Sequence, residues 1–394
     1  MKSATKPSPL VAIACGGTGG HLYPGIAVAE ELLCRNCDVS LVVSAKDVDQ
    51  HAVTSISDVE VQTVAAVGLT KGNLLGFASG FWKSYRSTKQ QFSKRPPQAI
   101  LSMGGFTSAA PAMAARSLGA KVFLHESNTI PGKANRWLAH FADQAFVYFH
   151  ETSSRLSMQR IEAVGMPVRS HFLEPVDALS ARMALGLDPK KPVLLVMGGS
   201  QGASGINDLV LRSSAFLKRD LPDLQFLHLT GRADVEKVRQ GYASQAIKAV
   251  VHPFLTEMEL ALGAATVAIS RAGASSLAEI AAMRLPSILI PYPHAADNHQ
   301  YYNALSFVET GAALVFEQNS VSADRLASQI VELVQCEKVR SEIQDALVKW
   351  HVANSAELVA EKIVSAISEV DAKTAGNAKK NIAHDRPIAK EANA

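Results

Sequence analysis

Several short segments of this chain carry residues suited to binding or transforming an anionic substrate. His21 follows a run, Gly16 to Gly20, that reads Gly-Gly-Thr-Gly-Gly, with Thr18 at its centre and Gly19 and Gly20 leading into the ring. Glycines let backbone N–H groups approach an anion closely, and an unperturbed imidazole, with a pKa of about 6.5, exchanges protons near neutrality. Glu126, in "HESN", offers a carboxylate as a rival base, with the amide of Asn128 beside it. "GMPVR" ends in Arg169, whose planar guanidinium fork suits phosphate. "GGSQG" holds Ser200, "RAGASSLAEI" holds Ser275, Ser276 and Glu279, and "DNHQYYNA" holds His299 and Gln300. Each has a plainer explanation: a tight turn for any one glycine pair, a helix cap for the serines and Glu279, surface amides for Asn298 and Gln300.

The elements that must position these groups are legible as short apolar runs: "LVAIA" (10–14), "VSLVV" (39–43), "AIL" (99–101), "KVFL" (121–124), "PVLLVM" (192–197), "QFLHL" (225–229), "VVHPF" (250–254), "TVAIS" (266–270) and "SILIP" (287–291). Most are continuous rather than alternating, and stretches with helical spacing separate them. That pattern predicts parallel strands buried on both faces and joined by crossover helices. After the first glycines, Pro24 suits a first helical turn, continued by Ile26, Ala29 and Leu33.

"VAIACGGTGG" is echoed by "VLLVMGGSQG", and "SMGGFTSAAP", with Gly104 and Gly105, supplies a third glycine turn after a strand. The echo predicts an α/β protein of two Rossmann-like, doubly wound parallel-sheet domains facing across a cleft. Three glycine turns together point to a ligand with a diphosphate and bulky groups at both ends. A dinucleotide fingerprint fails, because with Gly17 and Gly19 in its first two places the third falls on Leu22; "PGKAN" likewise fails as a Walker A loop. A boundary belongs near "GMPVRSHFLEPVD" (165–177), giving domains over 8–170 and 171–349, and the segment 371–394 has no apolar period and is expected to be a disordered tail.

Composition excludes other classes. The chain has 394 residues, 47% hydrophobic and 19% charged, with net charge +3 from 39 basic and 36 acidic residues. That is a folded protein with no global field for nucleic acid. The apolar run Leu10–Cys15 is too short for a signal peptide, and no run approaches the roughly 18 apolar residues of a spanning helix. Cys34 and Cys37 form an isolated C-x-x-C best read as a loop, and Asp47 and Asp49 form a D-x-D too common by chance to mark a metal site.

The motifs "GGTGGHLYPGIAVAEEL", "SMGGFTSAAP", "LHESNTIPGKANRWLA", "GMPVR", "GGSQGASGIN", "SRAGASSLAEIAAMRLPSILIPYP" and "AADNHQYYNA" occur in the order of one family, and the chain resembles the bacterial MurG family of peptidoglycan glycosyltransferases. The resemblance implies a GT-B fold and transfer of N-acetylglucosamine from UDP-GlcNAc to the muramyl 4-hydroxyl of lipid I, with inversion, giving lipid II. It implies that Glu279 accepts the ribose hydroxyls, that Ala274, Ser275, Ser276, Leu277 and Ala278 line the ligand, and that Leu255 borders the uracil. Ser200 and Arg169 would contact the diphosphate, and His299 and Gln300 the transferred sugar; many members carry Gln-Gln there. Thr18, Gly19 and Gly20 would border the substrate, with Asn128 as a further contact. His21 or Glu126 would take the acceptor proton, and Gly104 and Gly105 would receive the acceptor diphosphate. A helix over about 350–370 would pack back on the first domain. No metal or other cofactor is expected.

A lipid-linked acceptor also gives meaning to the stretch 68–95. Leu74, Leu75, Phe77, Phe81 and Trp82 stand among Lys83, Arg86 and other cations, a composition that fits either an inward-packed amphipathic helix or a patch on an anionic leaflet. The implied location is peripheral, on the cytoplasmic face of the inner membrane, with anionic phospholipid and cell-wall or division proteins as partners. Competing readings are another GT-B enzyme, such as a UDP-GlcNAc 2-epimerase or an antibiotic glycosyltransferase, and a non-catalytic nucleotide-sugar-binding protein.

Overall fold

The computed structural model describes residues 8–15, 19–44, 59–64, 74–199 and 202–384. Thr18, Ser200, Asp47 and Asp49 lie outside these, as do Gly16 and Gly17. The first domain runs β1 (Leu10–Ala14), α1 (Gly19–Cys34), β2 (Asp38–Ser44), β3 (Glu60–Val64), α2 (Leu74–Phe92), β4 (Ala99–Ser102), α3 (Phe106–Ser117), β5 (Lys121–Glu126), α4 (Lys133–Leu138), β6 (Gln144–Val147) and β7 (Ile161–Ala163). The second runs α5 (Ala178–Ala184), β8 (Val193–Met197), α6 (Ser204–Asp220), β9 (Gln225–Leu229), α7 (Val235–Ser244), β10 (Ala249–His252), α8 (Met258–Ala264), β11 (Val267–Ser270), α9 (Ala274–Ala282), β12 (Ser287–Leu289), α10 (His299–Glu309), β13 (Leu314–Val315), α11 (Ala323–Gln335) and α12 (Glu337–Val348). A long helix, α13 (Ser355–His384), closes the described chain.

All strand pairings are parallel, in the orders β3-β2-β1-β4-β5-β6-β7 and β10-β9-β8-β11-β12-β13. The central strands are covered on both faces, which is why their sequences read as unbroken apolar runs; β1 and β8 are buried throughout. In each sheet the strand order reverses once, between β1 and β4 and between β8 and β11. At such a reversal, neighbouring loops leave the carboxyl ends of the strands in opposite directions and open a crevice. His21, Gly104, Gly199 and Ala274 all follow strands that flank a reversal.

The chain crosses between domains near residues 164–172 and again near 350–355. Val359, Ala360, Ile363 and Ile367 of α13 are buried in the same cluster as Leu22, Ile26 and Leu32 of α1. Tyr148, Phe149, Met166 and Phe172, which come before residue 173, join the core of the second sheet. At the return crossing, Trp350 stacks on Phe307 with ring centroids 4.2 Å apart, meets Phe149 at 5.5 Å, and donates its indole N–H to Thr310 Oγ1 at 2.7 Å.

Two expectations change. Helix α1 begins at Gly19, so Pro24 lies inside it rather than in its first turn, and His21 is itself helical. The final helix continues to His384, through much of the stretch expected to be a disordered tail, while residues 385–394 lie outside those described. Cys34 ends α1 and Cys37 is buried in the turn before β2, both as free thiols.

Gly165 sits where the two crossings touch. It has φ +80°, and a Cβ there would lie 2.7 Å from Val352 Cβ. Gly165→Ala is therefore expected to combine left-handed strain with a clash and to destabilise by about 2–3 kcal/mol or more, whereas Gly119→Ala, at φ +94° with open space, carries the strain alone. Denaturant unfolding of the two variants checks the order.

Candidate active site

A cleft of about 370 Å³ lies between the two reversals. Gly20, His21, Tyr23, Ser127, Asn128 and Arg169 line it from the first domain. Gly199, Phe254, Leu255, the first turn of α9, Glu279, His299 and Gln300 line it from the second. Sequence reasoning did not single out Tyr23 or Phe254, because an isolated aromatic next to a motif carries no periodic signal.

Pro24 explains one contact across the cleft. Proline has no N–H, so the Gly20 carbonyl, four residues earlier, lacks its helical donor. That carbonyl instead accepts from Ser275 Oγ, on the first turn of α9, at 3.0 Å. The same break leaves His21 on the opening turn of α1, with its ring packed on the backbone of Gly104. A Cβ on Gly104, at φ +100°, would lie 3.2 Å from His21 Cε1 and 3.3 Å from Asn135 Nδ2, so this approach needs glycine. Gly105 continues the turn at φ +78° and precedes α3.

The opposite wall is the amino end of α9. Gly273 caps it in an extended conformation without a side-chain cap, and Ala274, Ser275 and Ser276 form its first turn. Such an end attracts an anion. Leu277 and Ala278 point into the domain core, being 0% and 3% exposed, so only their backbone is available to a ligand.

Glu279 follows one turn later, with its side chain 14% exposed. Burial pushes its carboxyl up to about 7, while the Arg169 guanidinium, 3.8 Å away, pulls in the opposite direction. Arg169 lies over the rings of Tyr23 at 4.5 Å and Phe172 at 5.1 Å, so its orientation is set by aromatic faces and its charge is directed to Glu279.

Glu126 is held inside the loop that follows β5. It is 2% exposed. Its Oε1 accepts from the Asn128 backbone N–H at 2.9 Å and from Asn128 Nδ2 at 3.3 Å; its Oε2 accepts from Gly132 N and Asn135 Nδ2, both at 2.9 Å. The carboxylate folds the loop 127–132 around itself and so presents Asn128 to the cleft. At the donor end, His299 Nδ1 meets the Ala296 carbonyl at 2.8 Å, and Gln300 Oε1 accepts from Tyr292 N at 2.9 Å. Asp297 and Asn298, at φ +50° and +53°, set the entry of α10, and Asp297 pairs with Arg136 of the first domain at 2.8 Å.

Outside the cleft, α2 buries Gly80, Ser84, Thr88 and Phe92 and leaves Leu75 and Trp82 exposed at 88% and 53%. Lys83 and Arg86 flank them, with Arg86 5.3 Å over the Trp82 ring. Phe77 meets Phe106 of α3 edge-on at 5.7 Å, and Phe81 meets Trp137 of α4 at 6.0 Å. Phe106 and Trp137 thus extend the patch toward Gly105, a continuity that only the tertiary fold reveals. Leu74 opens the helix. Among the described residues no helix is long and apolar enough to cross a membrane.

Two facing Rossmann-like domains with a cleft between them are here those of a two-domain glycosyltransferase, as comparison with known families shows. Residues 11–147 match the glycosyltransferase family 28 N-terminal domain, and residues 193–385 match the C-terminal domain of that family. The UDP-N-acetylglucosamine--N-acetylmuramyl-(pentapeptide) pyrophosphoryl-undecaprenol N-acetylglucosamine transferase of Pelobacter propionicus is 35% identical over 82% of this chain and 90% of its own. Its namesake in Sorangium cellulosum is 36% identical over 89% and 86%. The crystal structure of Acinetobacter baumannii MurG superposes with a TM-score of 0.69 at 24% identity, over 91% of this chain and 100% of that one. The chain belongs to the MurG family.

The raised carboxyl gives a stability prediction. A folded-state value of about 7 against an ordinary 4.5 means that Glu279 favours the fold most below pH 4.5 and that this contribution is lost as pH rises through 7. Glu279→Gln, neutral and isosteric, should therefore unfold at a higher temperature than the parent above pH 7, by an increment of about 1–3 kcal/mol that shrinks toward pH 4.5. Thermal melts across that range check it.

Proposed function

We propose that the protein transfers N-acetylglucosamine from UDP-GlcNAc to the muramyl 4-hydroxyl of lipid I, forming lipid II. The observation that carries this reading is the convergence, across one cleft, of His21 on α1 with the first turn of α9 and Glu279. Family membership supports the substrates, and the geometry of the cleft supports the roles that follow.

UDP lies against the second domain. The Glu279 carboxylate accepts the ribose hydroxyls, with Arg169 beside it keeping the ionised form available; the main chain at Leu255 borders the uracil. The diphosphate takes the Gly199 turn and the amino end of α9, where backbone dipoles spread the charge that builds on the departing UDP. Ser200, in "GGSQG", and Thr18, in "GGTGG", are assigned to the substrate by their motifs and lie outside the described residues. N-acetylglucosamine occupies the space between His299, Gln300 and Asn128. The Arg169 assignment moves from the diphosphate to the ribose end, because its guanidinium is held beside Glu279.

His21 removes the proton of the acceptor 4-hydroxyl as that oxygen attacks C1 of the sugar. The new O–C1 bond forms as the bond from C1 to the phosphate oxygen breaks on the opposite face, which inverts the anomeric centre. Glu126 acts upstream of this step by holding Asn128. No metal or other cofactor takes part in the step so written.

Lipid I approaches from the side of α2. Gly104 and Gly105, at the start of α3, receive its diphosphate, and the surface of Leu75, Phe77, Phe81, Trp82, Phe106 and Trp137 meets the membrane. Lys83 and Arg86 add attraction to anionic headgroups of about 1 kcal/mol each near the surface. On this reading the enzyme works as a peripheral protein on the cytoplasmic face of the inner membrane.

Incubation of the purified protein with radiolabelled UDP-GlcNAc and a lipid I analogue should yield labelled disaccharide lipid; bound UDP-GlcNAc without product would reject the transferase reading. In the same assay His21→Ala should lower kcat by about 10²–10⁴ while UDP affinity stays within about threefold, and undiminished kcat would remove His21 as the base. Co-sedimentation with anionic liposomes should weaken for the Phe81→Ser, Trp82→Ser double variant; unchanged binding would discount the patch.

A further inference from the structure

One side chain touches the segments that build both walls of the cleft. Asn303 lies on α10, one turn beyond His299 and Gln300, and is 0% exposed. Its Oδ1 accepts from Thr129 N at 2.9 Å and from Thr129 Oγ1 at 3.0 Å. Its Nδ2 donates to Asn128 Oδ1 and to the Ala272 carbonyl, both at 3.1 Å. Asn128 and Thr129 belong to the loop that follows β5 in the first domain, whereas Ala272 immediately precedes Gly273 and the first turn of α9 in the second. A primary amide has two donors and two acceptor sites, and here all four are used.

The direction of this relay is fixed from both ends. The Thr129 backbone N–H can only donate and the Ala272 carbonyl can only accept, so the Asn303 oxygen must face Thr129 and its nitrogen Ala272. Independently, Glu126 receives backbone N–H groups from Asn128 and Gly132, so Asn128 turns its nitrogen to Glu126 and its oxygen to Asn303. Both lines give the same orientation. The result is a hydrogen-bonded path, Glu126 to Asn128 to Asn303 to Ala272, buried except at Asn128, that passes from one domain to the other.

We propose that Asn303 is a positioning residue for sugar transfer: it fixes Asn128 and the first turn of α9 in one frame, so that the acceptor wall and the donor wall stay in register. The other polar links across the cleft do less. The Arg136–Asp297 pair is 44% and 45% exposed, where solvent screens it; Arg169 and Glu279 stand 3.8 Å apart, beyond hydrogen-bond distance; and Ser275 contributes a single bond to Gly20. Transfer needs the reacting atoms about 3–3.5 Å apart, and a slip of about 1 Å between the walls is worth about 10²-fold in rate. The inference rests on the transferase reading above.

Two substitutions separate positioning from simple space filling. Asn303→Ala loses all four bonds. Asn303→Asp keeps the size and the bonds from Thr129 but sets an oxygen against two acceptors, Asn128 Oδ1 and the Ala272 carbonyl. Both variants should lower kcat with the lipid I analogue by about 10- to 100-fold while the affinity for UDP alone stays within about threefold. Amide exchange at Thr129 should speed by about tenfold or more in Asn303→Ala and remain protected in Asn303→Asp. Wild-type kcat in Asn303→Asp would overturn the proposal, as would UDP affinity falling in step with kcat in both variants, or unchanged Thr129 exchange in Asn303→Ala. If Asn303→Ala does not fold, Thr129→Val should slow transfer where Thr129→Ser does not, and equal rates for the two would count against it. Absence of product with the wild-type protein would reject the transferase reading instead, and the exchange comparison would still decide whether Asn303 joins the walls.

Discussion

Parallel sheets put their ligand crevices at one end, the carboxyl ends of the strands, and that constraint organises the whole molecule. Each domain reverses its strand order once, and each reversal opens a crevice with helix amino ends at its rim. On the proposed reading one crevice takes a diphosphate with a nucleoside attached and the other a second anionic group. Joining two substrates requires that the crevices face each other, so the two domains must be turned strand-end to strand-end. Short helices and glycine turns then line both walls because little else can bring backbone N–H groups so close to phosphate oxygens.

Facing crevices would drift without a seam, and the seam is built from groups that local structure leaves unpaired. Pro24 withholds an N–H inside α1, and Ser275 of the other domain takes the Gly20 carbonyl it frees. Glu126, Asn128 and Asn303 run a polar path between the domains, while Tyr148, Phe149, Phe307 and Trp350 form an apolar joint at the crossings. Polar groups at the seam give direction, since each bond has a fixed donor and acceptor; the aromatic joint gives cohesion without direction. Burying the Glu279 carboxyl, which pushes it up to about 7, is an electrostatic cost that the fold carries at the cleft. A site that stores such a penalty exchanges stability for affinity toward hydroxyl donors.

Much of this was legible in the sequence because it is local. Continuous apolar runs marked the buried parallel strands, and glycine turns after them marked the crevices, so the fold class and most cleft residues followed from short windows and from the family motifs. The start of α1 was misplaced because proline statistics favour the first turn, and here the proline frees the Gly20 carbonyl to accept from a side chain of the other domain. The four donors that hold Glu126 were not legible, because a carboxylate beside an amide is ambiguous until the loop 127–132 is folded around it. Asn303 carried no visible role, since its partners Asn128 and Thr129 lie 175 and 174 residues away. Phe106 and Trp137 joined the surface patch only when α2, α3 and α4 came together.

Whether one cleft holds the nucleotide on the second domain and delivers the sugar to His21 on the first is tested most directly by a crystal structure of the protein with UDP-GlcNAc bound. The ribose hydroxyls are expected on Glu279, the diphosphate at the amino end of α9, and the pyranose between Gln300 and His21, open to an acceptor oxygen about 3–3.5 Å from C1. A nucleotide seated elsewhere, or a sugar turned away from His21 with its C1 shielded from the first domain, would contradict this placement.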